Sequence, residues 1–154
     1  MPVDPAVIGS RTPAHTVDVE RGRLRFFAKA TGQTDPVWTD AEAAKAAGHP
    51  DLPVPPTFLF CLDMEKPNPS AFLAELGIDV RTILHGGQEF EYLATAHAGD
   101  ALTFSTAVTD VYAKKGGALQ FIVRTTEVTR EGEPVARLRS TVVVRETRTK
   151  ERSA

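Results

Sequence analysis

Apolar and polar residues alternate with a period of two through the second half of the chain, from His85 onwards. Such alternation is typical of strands with one buried face and one solvent-exposed face. The clearest alternating segments are residues 88–94, 101–112, 119–123 and 136–145. The links between these segments are short, and each contains Gly: residues 97–100, 114–117 and 130–133. The pattern predicts four consecutive antiparallel strands joined by hairpin-like links.

The first half of the chain has helical spacing instead. Leu24, Phe27, Ala28 and Thr31 recur at the interval of one helix face, and Gly32 follows as a natural helix end. This spacing predicts a short amphipathic helix over residues 22–31. Two further short helices are predicted, one with Thr39 as N-cap and Glu42 in a capping box, the other over residues 71–76.

Residues 57–64 are apolar on almost every side and follow three prolines, Pro53, Pro55 and Pro56. A run this short fits a buried strand or a buried helix, and the flanking prolines favour a helix. An antiparallel sheet with one apolar face needs a cover, and this segment is apolar enough to supply it. We therefore expect an α+β fold, with a curved antiparallel sheet wrapped around one central helix.

Length and composition predict a single domain that needs no disulfide or metal for its stability. The chain has 154 residues, a formal charge of −2 and a single cysteine, Cys61. This charge balance lacks the footprint of a general nucleic-acid binder, and one cysteine forms no intrachain disulfide. No Cys/His cluster has metal-ligand spacing, and residues 1–15 lack the apolar core of a signal peptide. We expect a cytoplasmic, non-membrane protein with an N-terminal extension (1–14), one domain (15–146) and a polar tail (147–154).

Several segments together resemble a known family. They are Phe26–Asp40, Ala43–Gly48, Pro55–Phe58, Leu84–Tyr92 and Ala98–Asp100, in that order. The chain resembles the MaoC-like hotdog-fold acyl dehydratases, and more narrowly their N-terminal dehydratase-like domain, over residues 15 to 146. The resemblance implies a hotdog fold, with the sheet around the central helix.

The same resemblance implies chemistry on acyl thioesters of coenzyme A or acyl carrier protein, without a further cofactor. Family members add water to a trans-2-enoyl group or remove it from an (R)-3-hydroxyacyl group. Their catalytic pattern reads Asp-x-Asn-Pro-x-His, and its Asp and His act as general base and acid. In this chain those three positions hold Gln33, Asp35 and Trp38.

These substitutions change the expected function. A glutamine amide does not accept a proton at neutral pH, and an indole N–H is only a donor. The resemblance therefore implies a pseudo-active half of a hydratase or dehydratase, with low activity alone and Trp38 lining an apolar channel. It also implies a partner, either a second hotdog subunit with intact Asp and His or another copy of the chain. The substrate-binding residues it implies are Trp38, Pro56, Thr57, Phe58, His85 and Gly86.

Other interpretations of these residues remain open. His85 is either a hydrogen-bonding group at the thioester mouth or a structural residue at a strand end. Asp35 is the one titratable side chain at the three motif positions, which leaves open catalysis by this group alone or an acyl-thioester hydrolase in which it directs water. A non-enzymatic acyl-binding module is a further possibility. His15, His49 and His97 are expected at the surface and Cys61 in the core. Four cations are interpreted as a solvated face or as a contact for coenzyme A phosphates: Lys114, Lys115, Arg137 and Arg139.

Overall fold

A computed structural model describes residues 3–145, so the predicted tail at 147–154 lies outside the described part. Four α-helices precede most of the sheet: α1 (Arg21–Ala30), α2 (Ala41–Ala46), α3 (Phe58–Asp63) and α4 (Ala71–Glu75). The strands are β1 (His15–Asp18), β2 (Ile83–Tyr92), β3 (Ala101–Lys114), β4 (Leu119–Arg130) and β5 (Glu133–Arg145). No helix among residues 3–145 is long and apolar enough to cross a membrane.

The five strands form one antiparallel sheet in the order β1-β3-β4-β5-β2. The hairpins predicted at residues 114–117 and 130–133 are confirmed, since they join β3 to β4 and β4 to β5. The hairpin predicted at residues 97–100 is wrong. β2 pairs with β5, with Ile83 opposite Val144 and Tyr92 opposite Ala136. The chain that links β2 to β3 therefore crosses from one edge of the sheet to a strand beside the opposite edge.

The core lies between the helices and one face of the sheet. Phe58, Leu59 and Leu62 of α3 are buried in one cluster with sheet residues such as Phe104 and Leu138. Alternate residues of β3, from Leu102 to Val108, are buried, as the period of two predicts. The α+β class is therefore confirmed, although Phe60 and Cys61 are only half-buried and α3 is not buried all round.

Register shifts interrupt three of the strand pairings, and they give the sheet its local bends. One lies between His85 and Gly87 in β2, and another lies between Val108 and Asp110 in β3. The third lies between Val128 and Thr129 in β4. The bulge in β2 falls beside the predicted site residues His85 and Gly86.

The N-terminal residues extend the sheet, which the sequence did not predict. β1 pairs with β3, and the preceding segment continues along the same edge through hydrogen bonds from Gly9 N to Val108 O and from Thr12 N to Thr106 O. These contacts place part of the predicted extension, residues 9–12, directly against β3.

The cap of α2 also differs from the prediction. Asp40, not Thr39, is the N-cap, and its carboxylate accepts hydrogen bonds from the N–H groups of Glu42 and Ala43. A carboxylate at this position also interacts favourably with the positive end of the helix dipole. The Thr39 carbonyl instead accepts a hydrogen bond from Arg25 Nε at 2.8 Å.

Candidate functional site

The loop that follows α1 carries the three motif positions, Gln33, Asp35 and Trp38. Gln33 N donates to Ala28 O at 2.9 Å, which closes the end of α1 around Gly32. Asp35 is the N-cap of a 3₁₀ turn over Pro36–Trp38, and its Oδ1 accepts from Val37 N at 3.0 Å. Gln33 and Asp35 are exposed. The Asp35 carboxylate therefore has a local structural role in shaping the loop.

Trp38 is half-buried and forms one wall of an apolar cavity of about 400 Å³, which we call the Trp38 pocket. Pro56 and Leu59, at the start of α3, form part of its lining together with Tyr92 and Leu93 from the end of β2. Tyr92 OH donates a hydrogen bond to the Pro56 carbonyl at 2.6 Å, which ties β2 to the start of α3. The pocket therefore lies between the motif loop, α3 and the end of β2.

A pair of histidines borders the Trp38 pocket. His49 Nδ1 and His97 Nε2 are 3.0 Å apart, and His49 lines the pocket. Both side chains are half-buried, as is that of His15, so the prediction of three surface histidines is wrong. Burial lowers the pKa of His97, and the neighbouring His49 and Arg130 lower it further against the opposing charge of Asp100. One of the two ring nitrogens must accept this hydrogen bond, so the two rings are not both fully protonated.

A second cavity of about 390 Å³ opens on the other side of α3, and we call it the His85 cleft. His85 is exposed there, and its ring meets Phe60 edge-on with the centroids 6.1 Å apart. The rest of its lining includes Thr57, Cys61, Gln88 and Phe90. Cys61 is half-buried in this lining, not fully enclosed in the core.

The structure thus does not bring the predicted site residues together in one place. Trp38 and Pro56 line the Trp38 pocket, whereas Thr57 and His85 line the His85 cleft. Phe58 lines neither cavity: it packs in the core against Phe27 and beneath the Arg23 guanidinium. Neither of the two cavities is lined by Gln33, Asp35 or Gly86.

Tyr92 and Gln88 are cavity residues that the sequence reasoning missed. The period of two places Phe90 and Tyr92 on one face of β2, and their rings are indeed stacked with centroids 5.9 Å apart. Assigning that face to a cavity requires the position of β2 at the sheet edge, which the residues alone do not give.

The arginines considered for coenzyme A phosphates are already paired. Arg137 binds Glu127 and Glu91 at 2.7 and 2.9 Å, and Arg139 binds Glu89 at 3.1 Å. These pairs favour a solvated charged face. Within residues 3–145, no three His, Cys, Asp or Glu side chains come together as metal ligands.

The chain matches a known family over most of its length. Residues 6–138 match the family described as "FAS1-like, dehydratase domain region". The chain belongs to this family. A FAS1-like dehydratase region with MaoC-like structural neighbours confirms the resemblance to the MaoC-like hotdog dehydratases and the hydratase/dehydratase class that goes with it.

Individual relatives agree with this membership. A UPF0336 protein of Saccharopolyspora erythraea is 40% identical over 150 residues, which cover 96% of this chain and 94% of that protein. Among solved structures, a chain of the HadBC (3R-hydroxyacyl-ACP dehydratase) complex of Mycobacterium tuberculosis is 27% identical, with a TM-score of 0.75 and coverage of 89% and 96% of the two chains. A MaoC-like dehydratase superposes with a TM-score of 0.81 at 27% identity; the match covers 92% of this chain and 43% of that longer one.

Proposed function

We propose that this FAS1-like dehydratase region is the acyl-binding, non-catalytic half of an (R)-specific enoyl-thioester hydratase or 3-hydroxyacyl-thioester dehydratase. A second hotdog subunit supplies the catalytic Asp and His. The observation that carries this proposal is the motif loop itself, where Gln33 is an exposed amide and Trp38 is a wall of an apolar pocket.

The chemistry requires groups that exchange protons. Hydration adds a water oxygen to the β-carbon of the enoyl group and a proton to the α-carbon, so a base must activate the water and an acid must supply the proton. The Gln33 amide and the Trp38 indole do neither at neutral pH. Asp35 is a carboxylate, but it caps the turn over Pro36–Trp38, and the family residue at its position is Asn.

The same residues suit binding. The Trp38 pocket offers apolar walls to part of the acyl thioester, formed by the indole together with Pro56 and Leu59. Thr57 and His85 place a hydroxyl and an imidazole in the His85 cleft, where His85 is suited to hydrogen-bond a thioester carbonyl. In this proposal each of these contacts orients the substrate, and the proton transfer falls to the Asp and His of the partner.

The free edge of β2 supports association with a partner subunit. β2 pairs with β5 along one side, and its other side faces no strand among residues 3–145. Proteins seldom leave so long an edge open, because it pairs readily with another chain. HadBC, a similar structure, is a complex, which supports assembly with a second hotdog subunit or with another copy of this chain.

The direct test is enoyl-thioester hydration by the purified chain, alone and after mixing with a hotdog subunit that has the intact Asp-x-Asn-Pro-x-His pattern. We expect the isolated chain to be at least about 10²-fold slower than the mixture, because general acid–base groups typically contribute that much. Robust hydration by the chain alone would contradict the proposal. A mixture that binds acyl thioesters without turning them over would favour a binding module instead.

Substitutions in the motif loop sharpen this test. Asp35→Asn should leave turnover by the mixture nearly unchanged, and Asp79→Asn is a matched control, since Asp79 caps another exposed 3₁₀ turn. Trp38→Ala should change the range of acyl chain lengths accepted, whereas Phe26→Ala, at a 76% exposed aromatic residue, should not. Loss of turnover in Asp35→Asn alone would assign Asp35 a catalytic role and overturn the proposed division of labour.

A further inference from the structure

Two residues that line a cavity away from the motif loop carry buried polar atoms without a protein partner. Within residues 3–145, the buried side-chain nitrogen or oxygen atoms without a hydrogen-bond partner are His15 Nε2, Arg124 Nε and Arg124 Nη2. Both residues line the same cavity of about 410 Å³, between the N-terminal segment, α4 and β4. We call it the Arg124 cavity. Buried polar groups are nearly always paired in folded proteins, so their coincidence in one cavity points to a ligand.

Arg124 dominates the chemistry of this cavity. Its guanidinium lies over the Phe72 ring, 4.6 Å from the centroid, which fixes the plane of the group without using its N–H donors. Nε and Nη2 lie on one side of a guanidinium and form the fork that matches the two oxygens of a carboxylate. Burial lowers the pKa of Arg124, and Asp63 partly offsets this effect. A guanidinium is nevertheless not deprotonated in proteins, so the group stays charged and needs an acceptor.

The nearby carboxylates do not supply an acceptor for Nε and Nη2 of Arg124. Asp63 Oδ1 accepts a hydrogen bond from Lys66 Nζ at 3.2 Å, and these two side chains are only 13% and 11% exposed. Asp63 Oδ1 therefore binds Lys66, which itself lines the Arg124 cavity, and neither Nε nor Nη2 of Arg124 is hydrogen-bonded to this carboxylate. Glu75 also lines the cavity but is solvent-exposed. Two cations thus face the cavity, and one of them lacks a hydrogen-bonded counter-ion.

His15 adds a second polar contact. Its ring stacks on Phe104 with the centroids 5.3 Å apart, which holds Nε2 in place. Burial lowers the pKa of His15, although Asp63 and the carbonyls of Leu62 and Asp63 raise it, so the ring is neutral at pH 7. A neutral ring offers a hydrogen bond without adding charge.

We propose that Arg124 and His15 form a carboxylate-binding site in the Arg124 cavity. The carboxylate has two possible sources: a free small organic acid, or the distal end of an acyl chain. The second source is geometrically open because Arg124 also lines a neighbouring cavity of about 230 Å³, which shares Phe60, His85 and Gln88 with the His85 cleft. Free-acid binding does not depend on the proposed function, since it involves no thioester.

The first experiment uses the wild-type chain and needs no variant. Calorimetric titration compares hexanoate with hexanamide, which has the same chain but carries no charge. We expect hexanoate to bind at least about tenfold more tightly, the effect of a hydrogen-bonded charge. Equal affinities, or no binding of either compound, would mean that solvent alone fills the cavity, and the proposal would be wrong.

The second experiment assigns the effect to Arg124. Arg124→Gln should reduce hexanoate affinity about tenfold or more, whereas Arg139→Gln, an arginine on the exposed face of the same sheet, should not change it. Thermal melting of each variant shows whether it folds. If Arg124→Gln does not fold, the wild-type comparison of acid and amide still decides. Unchanged hexanoate affinity in a folded Arg124→Gln variant would overturn the assignment.

The third experiment distinguishes the two sources of the carboxylate. Hexanoyl-CoA and adipoyl-CoA share a six-carbon acyl chain and differ in the distal carboxylate alone. Tighter binding of adipoyl-CoA, with competition by hexanoate, would identify the distal acyl end as the ligand. Equal binding of both thioesters without competition would identify a free acid. If neither thioester binds while hexanoate does, the proposed function fails and the carboxylate site stands.

Discussion

Gly86 lies at the bulge of β2, where a side chain would press against β5. A Cβ atom built on Gly86 would lie 2.6 Å from Val143 Cγ2 on β5, whereas one on Gly87 would lie 3.9 Å from Thr141 Oγ1, an ordinary contact. Absence of a side chain at residue 86 lets β2 approach β5 closely beside the His85 cleft. This close contact is a structural reason for glycine at position 86, separate from the binding role that the resemblance implies.

This close approach predicts different outcomes for two neighbouring substitutions. Gly86→Ala should lower the free energy of unfolding by roughly 1–3 kcal/mol, because it overpacks the β2–β5 contact. Gly87→Ala should be neutral or slightly stabilising, since alanine reduces the entropy of the unfolded chain. Denaturant unfolding of the two variants tests this expectation. Equal effects would show that β2 and β5 are not this close.

The lowered pKa of His97 makes the free energy of unfolding depend on pH. Its folded-state pKa lies below the ordinary value of 6.5, so the unfolded chain takes up protons first as the pH falls. The contribution of this residue to the free energy of unfolding is therefore fully present above pH 6.5 and declines as the pH falls below that value. His15 has a pKa lowered in the same direction and adds to the effect.

Unfolding in denaturant at pH 7.5 and at pH 5.5 measures this linkage. We expect the wild-type free energy of unfolding to fall between the two conditions, and His97→Asn to reduce the difference. A wild-type free energy that rises as the pH falls would contradict the assignment, because it would require histidines favoured in their charged form.

At the scale of the element, α3 stabilises the fold far more than its length suggests. It has six residues, of which Phe58, Leu59 and Leu62 are buried against the sheet. So short a helix has little stability alone and depends on this packing. The apolar run predicted the element, whereas the half-exposed Phe60 shows that one side faces the His85 cleft.

Two phenylalanines provide a matched test of α3 packing. Phe58 is 4% exposed and Phe26 is 76% exposed. Phe58→Ala should cost about 3–5 kcal/mol of unfolding free energy, and Phe26→Ala at most about 0.5 kcal/mol. Chemical denaturation of both variants measures the difference. Similar small losses would mean that α3 is not the core helix.

Elements with a clear period, an apolar run or a capping signal were predictable, and β1, which has none of these, was not. α1 and the long strands were found because their buried residues repeat at intervals of 3.6 or 2. β1 was missed because it has four residues and only Val17 is buried, so no period is visible. The α2 cap was misplaced by one residue because Thr39 and Asp40 are both good N-caps, and only the backbone geometry distinguishes them.

At the scale of the whole molecule, the sequence predicted the class of fold but not the strand order. The link at residues 97–100 has the length and glycine of a hairpin, yet it carries the chain across the sheet. The segment at 52–54 pairs with residues 96–98, through Val54 N to Ala96 O and Ala98 N to Leu52 O, and so redirects the chain. Such distant pairing has no local signal, so the division of the site residues between two cavities was not predictable either.

The open edge of β2 predicts self-association or pairing with a second subunit. We expect a dimer or a dimer of dimers at micromolar concentration, measured by light scattering. Leu84→Lys, at a 48% exposed position on β2, should weaken this assembly, because lysine on an edge strand disfavours pairing. Ile8→Lys, a 46% exposed aliphatic residue near the opposite edge, is the control. A monomeric wild type, with and without a candidate partner, would contradict the prediction.

The strand order also determines when the sheet can form during synthesis. β2 has its hydrogen-bond partner in β5, so residues 83–92 wait for residues 136–144 to leave the ribosome. Until then α3 lacks part of the surface that buries it, and β2 is an unpaired strand on both sides. Late, long-range pairing slows folding and exposes such strands to aggregation. We therefore expect the chain to be most prone to aggregation over this interval, before β5 pairs with β2.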